Sequence, residues 1–170
     1  MNQNKYWIGI GISNSYLEII DELKIIIKKH DHDTIVIIAN QLTKKYNNKL
    51  NLKILKKIQR KLNTLTIKSF LYNFLSEKKE YKEILEKIIL KFKNNEKFKE
   101  EVIKLVIQNR NDVNSKNIQQ RSGYVLEELA ATKYMFQKKY IKLGKYKKEK
   151  PFDDLSNKYL SIPLEAFEYF

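Results

Sequence analysis

The chain contains no cysteine. Disulfide frameworks, thiolate zinc sites and cysteine nucleophiles are therefore excluded. Histidine occurs only at His30 and His32. Both fall in one short run, His30-Asp31-His32-Asp33, so no dispersed Ser-His-Asp triad is legible. That run follows a segment ending in lysines, where a polar connection is expected, and it reads as a loop rather than a metal site. Proline occurs twice and glycine four times. No Pro/Gly-rich linker, internal repeat or low-complexity tail divides the chain, so residues 1–170 read as a single domain. No apolar run approaches the roughly eighteen residues of a membrane-spanning helix, and no secretory signal is legible, so a soluble, cytoplasmic protein is expected. Acidic residues are in deficit: 20 Asp and Glu against 34 Lys and Arg give a formal charge of +14. Such a balance points to a polyanion partner, nucleic acid ahead of an anionic membrane. Arginine is confined to Arg60, Arg110 and Arg121. A lysine excess with abundant Ile and Asn also fits an AT-rich genome, so the placement of the lysines matters more than their number.

What is present supports a packed globular fold, with 42% hydrophobic residues in 170. The most informative stretch is Tyr6-Trp7-Ile8-Gly9-Ile10-Gly11-Ile12-Ser13-Asn14-Ser15-Tyr16-Leu17-Glu18. Ile8, Ile10 and Ile12 alternate with glycines, as in a buried strand approached closely by a neighbouring backbone. Ser15 with Glu18 three residues on forms a capping box, which makes Ser15 the expected N-cap of a following helix. Ser13 then lies in the turn between strand and helix. In open α/β sheets ligands bind at that edge. Gly11 removes side-chain bulk two residues before Ser13 and opens its hydroxyl to a substrate. The local pattern fits a nucleophile and equally a plain turn residue. Gly9-x-Gly11 lacks the third glycine of a dinucleotide fingerprint, and no Walker sequence occurs.

Residues 16–29 read as an amphipathic helix, with Leu17, Ile20, Leu23 and Ile27 at helical spacing. Thr34 to Ala39 is a β-branched run that reads as a buried parallel strand. The βαβ order predicts an α/β, Rossmann-like parallel sheet flanked by helices. Residues 40–63 read as mostly helical, with a break near Asn47-Asn48. Lys53, Lys56, Lys57, Arg60 and Lys61 share one face there, while Leu55, Ile58 and Leu62 share another. Five cations with no acidic residue among them exceed what a salt-bridged solvent face needs, and phosphate-backbone binding is the favoured reading. Residues 66–73 fit a third strand. Ser76-Glu77 opens a helix whose mixed Glu/Lys face is ordinary surface, Asn94-Asn95 breaks it, and another helix follows to about Asn109. From Ser115 to about Lys139, Ile118, Ser122, Val125, Leu126 and Leu129 form a core stripe. Tyr124 and Glu128 stack one turn apart, with Arg121 one turn before Tyr124; they fit a pocket wall or an ordinary surface rung. Lys142, Lys145, Lys147, Lys148 and Lys150 read as a second basic cluster, interleaved with Tyr140 and Tyr146. The remainder reads as a short helix and an apolar tail.

Taken together, Gly11-Ile12-Ser13, the helix bearing Tyr124-Val125-Leu126-Glu127-Glu128 and the basic helix between them resemble the tRNA-dependent cyclodipeptide synthases. The resemblance spans most of the chain. It implies the fold of the catalytic domain of class Ic aminoacyl-tRNA synthetases, tyrosyl and tryptophanyl, but without use of ATP. It implies two aminoacyl-tRNAs per cycle, joined through aminoacyl- and dipeptidyl-serine intermediates and released as a diketopiperazine. Ser13 matches the family's G-x-S nucleophile. Tyr124 and Glu128 match its Y-x-x-x-E, which holds the α-amino group and assists proton transfer. Gly11 and Tyr146 are the implied substrate-binding positions, with Tyr146 preferred over Tyr140 and Tyr159 for assistance in cyclisation. Lys53, Lys56, Lys57, Arg60 and Lys61 match the tRNA-docking patch. No metal, cofactor, DNA or membrane is implied, and a monomer is expected.

An aminoacyl ester is already activated, so a serine without a histidine base is chemically sufficient. Three features depart from the family pattern. Asn14-Ser15 follow the nucleophile directly rather than after two spacers, Ala130 stands where a proline is common, and the chain is short. Two other readings stay open: an RNA-binding module with a degenerate pocket, and a serine acyltransferase or hydrolase acting on small esters without tRNA.

Overall fold

The computed structural model describes residues 4–30, 33–40, 42, 45, 50–108 and 115–170, excepting the side chains at 29, 30, 115, 116 and 146–148. These divide into two compact units, residues 1–74 and 75–170. The readings at Asp31, His32, Asn47, Asn48 and Arg110 lie outside the described residues.

The first unit begins with β1 (Lys5–Ile10), α1 (Ser15–His30) and β2 (Asp33–Ile38), followed by α2 (Leu52–Thr64) and β3 (Lys68–Leu71). Within it the strands run in the order β3-β2-β1. Both pairings are parallel, from Lys5↔Asp33 to Ile10↔Ile38 and from Ile35↔Lys68 to Ile38↔Leu71. Ile35, Val36, Ile37 and Ile38 are all buried, as befits a central strand covered on both faces. One further hydrogen bond extends each ladder: the Ala39 amide donates to Ile10 at 2.8 Å and the Tyr72 amide to Ile38 at 2.9 Å. Ile20 and Leu23 of α1, and Leu55, Ile58 and Leu62 of α2, are buried. Asn51 caps α2, its side-chain oxygen accepting from the Ile54 amide at 3.1 Å.

A single helical turn, α3 (Asn73–Ser76), leads to the second unit: α4 (Lys79–Asn94), α5 (Glu96–Gln108), α6 (Ser115–Gln137), β4 (Tyr140–Gly144), α7 (Tyr146–Leu160), a 3-10 turn (Leu164–Ala166) and β5 (Phe167–Tyr169). The long helix α6 packs on α4 and α5 and buries Ser122, Val125, Leu126 and Leu129. Asn95 marks the α4–α5 break, its side chain accepting from the Phe98 amide at 2.9 Å. β4 and β5 pair in parallel from Lys142↔Phe167 to Gly144↔Tyr169, with α7 as the crossover. Each unit therefore alternates parallel strands with helices, and the chain is of the α/β class.

Two expectations need correction here. The tail does end in a helix and an apolar segment, with Ile162, Ala166 and Phe167 buried, but these belong to a β–α–β unit. Its α7 is longer than expected, carries Pro151 internally and stops at Ser161, a residue in the left-handed conformation with φ 52°. The apolar segment closes in β5. The helix α1 also starts one residue earlier than expected. Ser15 is its first residue, which leaves Asn14 in the cap position.

Candidate active site

Within the first unit, the chain leaves β1 at Ile10 and enters α1 at Ser15, so Gly11, Ile12, Ser13 and Asn14 make the intervening turn. The Tyr16 amide donates to the Ser13 carbonyl at 3.2 Å and the Leu17 amide to the Asn14 carbonyl at 3.0 Å. These bonds hold the loop against the first turn of the helix. Ser13 is half-buried and Ser15 exposed. Their Oγ atoms lie 2.7 Å apart, within the range of a hydroxyl–hydroxyl hydrogen bond. The space that Gly11 leaves free is taken by an aromatic ring. A Cβ placed on Gly11 would stand 2.7 Å from Cε2 of Tyr16 and 3.3 Å from its hydroxyl. Sequence reasoning found Ser13 and Gly11 but neither the Ser15 hydroxyl nor the Tyr16 ring. The two serines at i and i+2 were the available signal for the first.

Also in the first unit, Lys53, Lys56, Lys57 and Arg60 stand exposed on α2. Lys61 does not join them. Its Nζ donates to the Leu17 carbonyl at 2.8 Å and to Asp21 Oδ2 at 2.5 Å, with only 29% of the side chain exposed. The expectation of five cations free of any acidic neighbour is corrected to four, because the acid comes from α1 rather than from α2 itself.

In the second unit, Tyr124 and Glu128 lie half-buried on successive turns of α6, with Arg121 half-buried one turn earlier. The intervening Glu127 is 7% exposed. Tyr81, fully enclosed on α4, donates its hydroxyl to the Glu127 carbonyl at 3.4 Å. That bond braces the turn on which Glu128 sits. Tyr146 is the first residue of α7, and its side chain lies outside the described residues.

Lys142 belongs to no surface cluster. It lies on β4 with 8% of its side chain exposed. Its Nζ is 2.8 Å from both Glu149 Oε2 and Asp153 Oδ1, and 4.3 Å from the centre of the Phe152 ring. Tyr169 donates to the other Asp153 oxygen at 3.0 Å. Burial alone would push the Lys142 ammonium down; Glu149 and Asp153 outweigh it and hold the group above the ordinary lysine value. Burial pushes the Asp153 carboxyl up against the pull of Lys142. Burial and the Asp153 carboxylate raise the Tyr169 phenol. Lys150 likewise pairs with Asp154 one turn on.

Among the described residues, no group of three or more His, Cys, Asp or Glu side chains could hold a metal ion. None of the described helices is long and apolar enough to cross a membrane.

No family model and no curated protein matches the chain by sequence. Solved structures do match it. A cyclodipeptide synthase from Bacillus thermoamylovorans superposes with a TM-score of 0.71 at 18% identity, over 99% of this chain and 87% of that one. One from Streptomyces noursei does so with 0.67 at 16% identity, over 99% and 94%. The chain has the cyclodipeptide-synthase fold. That fold is of the class I synthetase kind: a tyrosyl-tRNA synthetase from Archaeoglobus fulgidus matches with a TM-score of 0.70 at 11% identity, over 95% of this chain and 51% of its own.

Proposed function

We propose that this chain makes a cyclic dipeptide from two aminoacyl-tRNAs through aminoacyl- and dipeptidyl-Ser13 intermediates. The observation that carries the reading is the place of Ser13: a half-buried hydroxyl on a strand-to-helix turn at the start of α1, in a chain with the cyclodipeptide-synthase fold. Ser13 attacks the ester carbonyl of the first aminoacyl-tRNA. The positive end of the α1 dipole favours the oxyanion that develops. Tyr124 and Glu128 bind the α-ammonium, and Glu128 serves as an ionised carboxylate. The α-amine of the aminoacyl group on Ser13 attacks the ester carbonyl of the second aminoacyl-tRNA and releases that tRNA. The free amine of the resulting dipeptidyl-Ser13 then attacks the Ser13 ester, closing the ring and freeing the serine, with Tyr146 assisting. No ATP is needed because each substrate arrives as an activated ester. The tRNA backbone docks on Lys53, Lys56, Lys57 and Arg60, whose free ammonium and guanidinium groups suit phosphates. The protein acts in the cytoplasm as a monomer, without metal or cofactor.

The test is mass spectrometry of medium from a bacterium expressing the chain, beside its Ser13→Ala and Glu128→Gln variants. Cyclic dipeptides should accumulate with the parent and vanish with Ser13→Ala. Glu128→Gln should lower turnover by about a hundredfold while leaving the melting temperature in place. Soluble parent protein that yields no cyclic dipeptide would overturn the reading. A Glu128→Gln protein that mainly unfolds would assign Glu128 to structure.

A further inference from the structure

The hydroxyl of Ser15 lies 2.7 Å from that of Ser13 at the start of α1, a contact that the reaction as described so far does not use. We propose that Ser15 is a proton relay for Ser13, doing the work of a general base. The inference rests on the acyl-Ser13 reading above. Neither histidine is near Ser13 in sequence, and a serine nucleophile must lose its proton as it attacks. A hydroxyl is both donor and acceptor and rotates to suit. Ser15 can therefore accept from Ser13 through one lone pair while presenting its own hydrogen outward. Its position allows this: Ser15 is exposed and Ser13 is half-buried, so the relay lies on the solvent side of the nucleophile, where the ribose of an incoming tRNA end would arrive.

The balance is complete without any further reactant. The Ser13 Oγ–carbonyl carbon bond forms and the bond from that carbon to the ribose oxygen breaks. The Ser13 proton passes to Ser15 Oγ, and the Ser15 proton passes to the departing ribose oxygen. Ser13 ends acylated, Ser15 ends as the hydroxyl it began, and the tRNA leaves with its terminal hydroxyl restored. The adjacency of Asn14-Ser15 to Ser13, with no spacer between, is what lets the second hydroxyl reach the first.

The experiment is single-turnover acylation, using total tRNA charged with isotopically labelled amino acids and intact-protein mass spectrometry of the parent, Ser13→Ala, Ser15→Ala and Ser15→Thr proteins. The expected result is label on the parent, none on Ser13→Ala, acylation slowed by about a hundredfold in Ser15→Ala, and recovery to within about threefold in Ser15→Thr. The affinity of Ser15→Ala for uncharged tRNA should equal the parent's. Ser15→Ala acylating at the parental rate would overturn the relay and leave the acyl-Ser13 reading standing. Ser15→Thr falling as far as Ser15→Ala would show that Ser15 serves the shape of the turn, and would overturn the relay too. A parent that takes up no label would overturn both readings together.

Discussion

Lys61 Nζ lies 2.5 Å from Asp21 Oδ2, and this contact removes one cation from the basic face of α2 and turns it into a tie between two helices. The remaining four cations should act as phosphate contacts and Lys61 should not. Charge reversal at Lys56 and Arg60 together should weaken tRNA binding and lower the slope of log affinity against log salt by about two, one for each lost phosphate contact. Lys61→Met should leave that slope near the parental value and cost about 0.5 kcal/mol of stability, the worth of a partly exposed pair. Binding isotherms across a salt series, with thermal melts of each variant, separate the two effects. An unchanged slope in the double reversal would move the docking surface off α2.

Tyr16 lies over Gly11, two residues before the nucleophile. Gly11→Ala should therefore push the Tyr16 ring aside and disturb the turn holding Ser13, with a stability loss of about 1–3 kcal/mol from overpacking. The contacted atoms belong to the far end of a flexible side chain, so relief should be local. Gly11→Ala combined with Tyr16→Ala should recover stability relative to Gly11→Ala alone. The signature is a non-additive double-mutant cycle. Additive losses would mean that the ring and the glycine do not compete for the same space.

Lys142 and Tyr169 both titrate above their ordinary values, which fixes the direction of a pH effect. A group whose folded pKa is raised stabilises the fold fully below its unfolded pKa and loses that contribution as pH rises through the folded one. Melting temperature should therefore fall on the alkaline side, from about pH 10 upward, where unfolded tyrosine and then lysine begin to lose protons. Asp153, also raised, contributes in the same sense, so the network adds no acid lability through that group. Lys142→Met should cost about 3–5 kcal/mol, because it leaves the enclosed carboxylate of Asp153, and the half-buried one of Glu149, without their cation. Lys142→Met with Asp153→Asn and Glu149→Gln should recover much of that loss. Melts from neutral to alkaline pH on these proteins check both points, and a parent with a flat alkaline limb would refute the first.

Local spacing carried the first unit well. Ile8 and Ile10 in a strand, the serine turn, the stripe of Ile20 and Leu23 and the run at Ile35–Ile38 are all written within a few residues of one another, and parallel pairing follows from their order. The core stripe of α6 was equally plain. What escaped reading depended on partners far along the chain or on elements too short to show a period. Asp21 is 40 residues from Lys61, so inspection of α2 alone could not find it. Lys142 meets Glu149 and Asp153 from another element, 7 and 11 residues on; by composition it was one lysine among several. β5 spans only three residues, and β4 has a lysine at its centre, so neither shows the apolar alternation of a strand. At the turn, Ser13 was legible from its neighbours, whereas the ring of Tyr16 over Gly11 is a matter of side-chain direction that spacing does not encode.

At the far end of α7, the Lys91 ammonium donates to the Tyr159 carbonyl at 2.6 Å and the Lys133 ammonium to the Leu160 carbonyl at 2.7 Å. Each role is that of a compact point charge set on a single oxygen, where the planar fork of a guanidinium would need a second acceptor beside the first. The exposed cations of α2 face no such restriction. Exchange between lysine and arginine, the commonest trade when the base composition of a coding sequence drifts, is thus open at Lys53, Lys56 and Lys57 and closed at Lys91 and Lys133. The lysine-rich appearance of this chain then has two origins: at the surface it is a habit of composition, and around α7 it is a requirement of shape.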